Sequence, residues 1–162
     1  MADLMRPIPS IIDKKLAPAA PSGLREFLSF RLAADVYAVE LSRIREIVTP
    51  PPLTTVPRAP PDVIGICSVR GLLVTVVDLR RRLRLLEAAS SRQSRILLAN
   101  TDSGEVVGLF VDEVRQVVRL ATQEIEVTAN VLGGELSDHV LGVGRPSGEF
   151  VVLLDLGSIV GT

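Results

Sequence analysis

The stretch GICSVRGLLVTVVDLRRRL, running from Gly65 to Leu83, decides the fold class of this chain. It covers most of two apolar runs rich in β-branched residues, Val63–Val69 and Leu72–Val77, and such runs bounded by turn residues are typical of strands. Arg70 and Gly71 join the two runs. A permanent positive charge therefore stands between two segments whose composition is that of a protein core.

Similar apolar runs recur along the rest of the chain, at residues 24–32, 37–41, 43–48, 95–99, 105–111, 114–118 and 150–154. Turn signals separate them every eight to twelve residues or so, which indicates an all-β barrel or sandwich. Strands and helices do not alternate, so a parallel α/β sheet is disfavoured. Asp78 and Asp155 each predict the start of a short helix, the first with Leu79, Leu83 and Leu86 on its apolar side.

A weak internal similarity relates two segments of the chain. ICSVRGLLVTVVDL, from Ile66, and LGVGRPSGEFVVLLDL, from Leu141, both read as a strand, a Gly/Arg region, a strand and Asp-Leu. This similarity predicts two alike barrels. Gly133, Gly134, Gly142 and Gly144 predict a glycine-rich connector ahead of the last strand.

Composition excludes several classes of protein. Apolar residues make up 47% of 162 residues, enough for a sizeable core, and the net charge of −1 provides no field that would attract nucleic acid or anionic lipid. A single cysteine, Cys67, excludes an internal disulfide and fits a reducing compartment. With no secretory signal and no long apolar run, the sequence predicts a soluble cytoplasmic protein. Residues 1–23, with four prolines, predict a flexible extension.

Residues suited to catalysis are scarce. His139 is the only histidine, Cys67 lies inside an apolar strand, and no Cys/His cluster has the spacing of a zinc site. No phosphate-binding glycine motif precedes a helix. The sequence therefore predicts a protein that is not an enzyme and that has no metal or cofactor.

Two binding functions remain open from the residues alone. The run Arg80–Arg84, with Arg92 and Arg95, suits a small barrel that binds nucleic acid, although a solvated helix face is the preferred interpretation. A small β domain could also act as a sensor of small molecules.

Five segments form an ordered set. They are FLSFRL with YAVE in 27–40, IREI in 44–47, the opening stretch in 65–80, VGLFVDEVRQVVRL in 107–120, and GVGR with LLDL in 142–156. In this order they resemble the motifs of the CheW family of chemotaxis coupling proteins, over residues 24–160. Ser68, Val69 and Thr75 depart from the family's usual Asn, Leu and Pro.

The resemblance implies a fold and a function. The fold is two five-stranded SH3-like β-barrels that share a core, in one CheW-like domain over residues 24–162. The function is that of a non-enzymatic adaptor in receptor arrays at the inner membrane, without insertion into the membrane. Its partners would be the regulatory domain of a chemotaxis histidine kinase and the cytoplasmic hairpin tip of a chemoreceptor, with no nucleic acid.

The resemblance also implies site residues. A receptor groove between the barrels would comprise Ile44, Glu46, Ile47, Arg70, Val107, Gly108, Val114 and Val117. Gly108 would let a receptor helix approach closely, and Glu46 and Arg70 would form a buried or half-buried ion pair that holds the two barrels together. Loss of one partner of such a pair costs about 3–5 kcal/mol. The remaining implied surface, facing the kinase or the array, comprises Glu126, Val127, Asn130 and Val131. Plain core positions for the valines and isoleucines, and an Arg70 that reaches solvent from a turn, remain the alternatives.

Overall fold

The computed structural model of the chain describes residues 23–86, 88–127 and 138–160, and this part contains ten strands and two short α-helices. The strands are β1 Leu24–Leu32, β2 Asp35–Glu40, β3 Ile44–Val48, β4 Val63–Val69, β5 Leu72–Asp78, β6 Arg95–Asn100, β7 Val106–Val111, β8 Glu113–Ala121, β9 Val140–Gly144 and β10 Val151–Leu154. The helices are α1 Leu79–Arg82 and α2 Leu156–Val160, and 3-10 turns occupy Leu41–Arg43 and Thr122–Glu124. The predicted extension lies, Gly23 excepted, outside the described residues.

The strands form two five-stranded sheets, with the orders β8-β1-β2-β10-β9 and β3-β6-β7-β5-β4. In each sheet, the segment that follows one edge strand, β3 or β8, forms a single β-bridge with the opposite edge strand, β4 or β9. Thr54 exchanges two 2.8 Å backbone hydrogen bonds with Ile66 in one sheet, and Glu126 does the same with Val143 in the other. These bridges close the sheets into barrel 1, which holds β1, β2 and β8–β10, and barrel 2, which holds β3–β7. The predicted all-β class with two five-stranded barrels is confirmed.

The core has three parts. A shared core lies between the outer faces of the two barrels; its buried members are Leu28, Phe30, Leu32, Tyr37, Val39, Leu41, Ile44, Ile47, Leu79, Leu83, Leu97, Ala99, Leu109, Val111, Val152, Leu154, Leu156 and Ile159. A smaller cluster fills each barrel, around Phe27 in barrel 1 and around Val74 in barrel 2. Strands such as β6 and β10 are therefore buried on both faces, which explains their unbroken apolar runs. Phe27 interrupts the alternation of β1 because it faces barrel 1 while Leu28 faces the shared core.

The two halves of the chain exchange strands. The first half contributes β1 and β2 to barrel 1 and β3–β5 to barrel 2, and the second half contributes β6 and β7 to barrel 2 and β8–β10 to barrel 1. Each barrel thus combines a hairpin from one half with three strands from the other.

The internal similarity of the sequence corresponds to this duplication. Gly65 and Gly142 directly precede Ile66 and Val143, which form the bridges. In the turns that follow, Gly71 and Gly148 have φ of +83° and +82°. Asp78 ends β5 and Asp155 directly follows β10, and these equivalent strands run parallel to their neighbours β7 and β2. The backbone amides of these aspartates bond to the carbonyls of Asp62 and His139.

Local turn chemistry follows the sequence, with two corrections. The Asp78 carboxylate accepts a 2.9 Å hydrogen bond from the Arg80 amide and caps α1, as predicted. Leu86 is 87% exposed and does not extend the apolar side of that helix. Gly142 and Gly144 lie within β9 rather than in a connector, and Gly133 and Gly134 lie outside the described residues.

Candidate binding surface

Three of the predicted groove residues lie where the barrels meet. Val107 is on β7 of barrel 2, and Val114 and Val117 are on β8 of barrel 1, paired with Phe30 and Leu28 of β1. All three are half-buried and pack against the shared core. Apolar side chains from both barrels thus reach the margin of the shared core while remaining accessible.

Three other predicted groove residues are core residues. Ile44 is 0% exposed and Ile47 is 3% exposed, both within the shared core. A Cβ atom on Gly108 would lie 2.8 Å from Ile96 Cγ2, inside barrel 2. Gly108 therefore gives room to the core of its own barrel rather than to a docked helix. Their assignment to the walls of a groove is corrected.

The predicted ion pair forms, but in a different setting. Arg70 Nη2 lies 2.5 Å from Glu46 Oε2, and the Arg70 side chain is 78% exposed, against 25% for Glu46. Both residues belong to barrel 2, where the pair spans the gap between β3 and the β4–β5 hairpin. The pair does not join the two barrels, and its exposure limits its contribution to about 1 kcal/mol or less instead of 3–5 kcal/mol.

Arg70 occupies an unfavourable backbone conformation. Its φ is +53° and that of Gly71 is +83°, which makes a two-residue hairpin turn of the type that favours Asn-Gly. An arginine in this region costs about 1–2 kcal/mol. A charged residue thus occupies the tip of the hairpin in spite of this backbone strain, and such strain is typical of functional positions.

A network around Asp112 joins the two barrels, and sequence reasoning missed it. Arg80 of α1 forms an ion pair with Asp112, with Nε donating to Oδ1 at 2.9 Å. Asp112 lies between β7 and β8, and its Oδ2 accepts a 2.8 Å hydrogen bond from the Ala33 amide in the β1–β2 turn. The pair is well shielded, because the Arg80 side chain is 13% exposed. Arg80 and Asp112 are 32 positions apart, and no local pattern links them.

The two carboxylates beside α1 differ in their electrostatics. Burial opposes ionisation of Asp112, but hydrogen bonds from Arg80 and the Ala33 amide, with the charges of Arg80 and Arg31, hold its pKa below the ordinary value. Burial raises the pKa of Asp78, and the amides and charge of α1 only partly offset this effect. Asp112 is therefore the carboxylate whose ionised form the fold stabilises.

The arginine run serves the fold. Arg82 Nη1 donates to Asp62 Oδ2 at 3.0 Å and its Nε donates to the Ile159 carbonyl of α2 at 2.8 Å, while Arg81 donates to the Pro61 carbonyl. Arg95 is 7% exposed. Arg80 and Arg82 are half-buried and bind carboxylates of the same chain, so the solvated face is wrong for these two, whereas Arg81, Arg84 and Arg92 are exposed.

The described residues hold no group of three or more His, Cys, Asp or Glu side chains that could bind a metal ion. Cys67 is buried in barrel 2, and burial raises the pKa of its thiol. His139 Nδ1 lies 2.6 Å from Ser158 Oγ.

Among the described helices, none is long and apolar enough to cross a membrane.

Of the segment predicted to face the kinase or the array, the structure describes Glu126 and Val127. The Glu126 backbone closes barrel 1, and Val127 is 81% exposed. Asn130 and Val131 lie outside the described residues.

A family model for the CheW-like domain matches residues 26–162. The chain belongs to the CheW-like family. It is similar to the chemotaxis protein CheW of Rhizobium meliloti (strain 1021), with 30% identity over 138 residues that cover 85% of this chain and 88% of that protein. Protein FrzA of Myxococcus xanthus is 30% identical over 141 residues, 85% of this chain and 86% of FrzA. The crystal structure of the scaffolding protein TtCheW from Thermoanaerobacter tengcongensis shares the fold, with a TM-score of 0.77 at 24% identity over 85% of this chain and 93% of that one.

Family membership confirms the resemblance and its functional class, a chemotaxis coupling adaptor. In this CheW-like chain the departures from the family pattern lie on the hairpin that carries Arg70. Ser68 is exposed opposite Leu73, and Thr75 pairs with both Ile66 and Val107, inside the sheet of barrel 2. Thr75 thus occupies a strand position that has a neighbouring strand on each side.

The hairpin tip of the CheW-like chain also exposes apolar surface that the sequence reasoning did not single out. Leu72 is 41% exposed and Leu73 is 71% exposed, directly after Arg70 and Gly71. For Leu73 the alternation of the strand gave the available signal, since Val74 and Val76 face the interior of barrel 2 and Leu73 must face outward. Leu72 has the same parity as Val74 and is exposed beside the turn.

Proposed function

We propose that this chain couples the cytoplasmic hairpin tip of a chemoreceptor to the regulatory domain of a chemotaxis histidine kinase, and that it catalyses no reaction itself. It acts in the cytoplasm, in receptor arrays beneath the inner membrane. The observation that carries the receptor part is the position of Val107, Val114 and Val117. These half-buried side chains come from both barrels, and an amphipathic helix binds through such apolar surface.

The tip of the β4–β5 hairpin, which carries Arg70, is a second surface suited to a receptor. The hairpin tip presents a guanidinium and two exposed leucines, which together suit a partner with apolar and acidic side chains. The guanidinium is held by Glu46 at one end of the β3–β4 gap. The ion pair therefore orients a charge towards the partner and contributes little to stability.

The kinase part rests on the end of barrel 1. Val127 is an exposed apolar side chain next to the bridge of Glu126, and this segment matches the one implied by the family resemblance. A stable interface needs about 800 Å² from each partner, so Val127 would be one contact among many.

Val117→Arg is expected to weaken receptor binding at least tenfold, because a charge would enter the apolar margin of the shared core. The measurement is co-sedimentation of the purified chain with receptor cytoplasmic fragments, with kinase binding measured in parallel. Leu86→Arg, at an exposed position outside β7 and β8, is the control and should bind normally. Equal receptor affinity for Val117→Arg, with the fold intact, would refute the receptor assignment.

Arg70→Asn is expected to weaken receptor binding about tenfold while the melting temperature stays the same or rises. Asparagine suits a left-handed turn position better than arginine does, and the exposed ion pair stabilises the fold by little. Thermal melting and receptor co-sedimentation on the same preparation separate the two effects. A variant that melts lower and binds the receptor normally would assign Arg70 to the fold alone.

A further inference from the structure

The strand pairing of the two halves has a consequence for association between copies of this chain. Four strand pairs join the halves, namely β1 with β8, β2 with β10, β3 with β6, and β5 with β7. Within a half, the hairpins β1–β2, β4–β5, β6–β7 and β9–β10 form, together with the single bridges Thr54–Ile66 and Glu126–Val143, while β3 and β8 have no partner strand of their own half. Neither half therefore holds a complete barrel. Isolated two-stranded hairpins are marginally stable in water, so we expect neither half to fold alone.

Contacts outside the strand pairs also join the two halves. The shared core draws on both halves, with Leu28 and Val39 from the first and Leu97 and Val152 from the second. The pair Arg80–Asp112 and the bond from Arg82 to the Ile159 carbonyl also cross from one half to the other. Both barrels and the shared core therefore require residues from both halves.

One segment connects the halves, and it contributes little to either barrel. It runs from the end of α1 to β6, and its described residues 84, 86 and 88–93 are exposed while Leu85 is half-buried. Arg84 adopts a φ of +60° at its start. Backbone of this kind tolerates insertion and cleavage.

We infer that two copies of this chain exchange halves to form a closed dimer, with residues 84–93 as the hinge. The first half of one copy assembles with the second half of the other, and the result is two complete pairs of barrels. Every contact within a pair of barrels is the same as in the monomer, so only the hinge conformation and the entropy of association distinguish the two states. The dimer carries two receptor-facing margins and joins two sets of partners.

The share of dimer should depend on the protein concentration, because one segment joins the two halves of each copy. A short flexible linker holds its ends at an effective concentration in the millimolar range. Refolding at about 1 µM should therefore give monomer, and refolding at about 1 mM should give a substantial share of dimer. The dimer should persist on dilution, because separation requires all four inter-half strand pairs to open.

The test uses the full chain with a protease recognition sequence of equal length in place of residues 86–92. Monomer and dimer are separated by size-exclusion chromatography after refolding at the two concentrations, and each is then cleaved. Cleaved monomer should remain one folded complex of the two fragments. Cleaved dimer should become monomer-sized, because the hinges alone join its two pairs of barrels.

Three results would overturn the inference. One is a dimer that keeps its size after complete cleavage, which would show a surface contact between intact copies. Another is the absence of dimer at both concentrations. The third is a cleaved monomer whose fragments separate and stay folded. An insertion of five Gly and Ser residues at Arg145–Gly148, the turn between β9 and β10 within one half, is the control and should leave the dimer share unchanged.

Discussion

Asp112→Asn is expected to lower the free energy of unfolding by about 3 kcal/mol at pH 7, because Arg80 would keep a shielded charge without its carboxylate. Asparagine can still accept the hydrogen bond from the Ala33 amide, so the variant tests the charge. Glu46→Gln removes the carboxylate of the exposed pair with Arg70 and is the matched control, with an expected loss below about 1 kcal/mol. Denaturant unfolding measures both. Equal losses would contradict the role of Asp112 in joining the barrels.

The pH dependence of this difference has a defined sign. The pKa of Asp112 is depressed in the folded protein, so its contribution is fully present above the unfolded-state value of about 3.9. The contribution disappears as the pH falls through the lower, folded-state pKa. The difference in stability between wild type and Asp112→Asn should therefore begin to shrink below about pH 4 and vanish once the pH is below the folded-state pKa of Asp112. The raised pKa of Asp78 acts in the opposite direction, since its protonation favours the folded state as the pH falls. The comparison of the two chains removes this effect except for the part that the charge of Asp112 itself causes.

Gly142→Ala is expected to cost about 2–3 kcal/mol and to open barrel 1. The new Cβ would lie 2.7 Å from the Glu126 carbonyl oxygen and 2.9 Å from Ile125 Cγ2, and a backbone carbonyl cannot move aside as a flexible side chain can. The two hydrogen bonds between Glu126 and Val143 would be lost or stretched.

Hydrogen exchange at the Glu126 and Val143 amides would report the opening of barrel 1, and thermal melting would report its cost. Gly157→Ala is the control, because the nearest atom to its Cβ would be 3.5 Å away and alanine favours the helix α2. Protected amides at 126 and 143 in Gly142→Ala would show that the bridge tolerates the added carbon. The same variant should weaken kinase binding if Val127 contributes to that interface.

Much of the fold could be predicted from local chemistry. The boundaries of β4 and β5 follow the apolar runs on either side of Arg70-Gly71, and Asp78 begins α1 as its capping residue. From the ordered family motifs, the two barrels and the functional class could also be predicted. Local patterns could not show which strands pair, because β6 and β10 are apolar on both faces and fit a sheet in either orientation.

The candidate site was only partly predictable for the same physical reason. Val107, Val114 and Val117 do lie at the margin of the shared core, but Ile44 and Ile47 have the same composition and are buried in it. A sequence shows that a residue is apolar and does not show which side of a two-sided strand meets solvent. Arg70 was assigned to the correct ion pair and to the wrong depth, whereas the pairing of Arg80 with Asp112 depends on contacts between distant segments.

The exchange of strands also orders events while the chain is being synthesised. All five strands of barrel 2 lie between residues 44 and 111, so this barrel can close before the last third of the chain has left the ribosome. The β1–β2 hairpin is made first and must wait for β8–β10, with Leu28, Phe30 and Val39 resting on the outer face of the completed barrel. The β1–β2 hairpin, which is made before barrel 2, is therefore enclosed after it, and until then barrel 2 acts as its template.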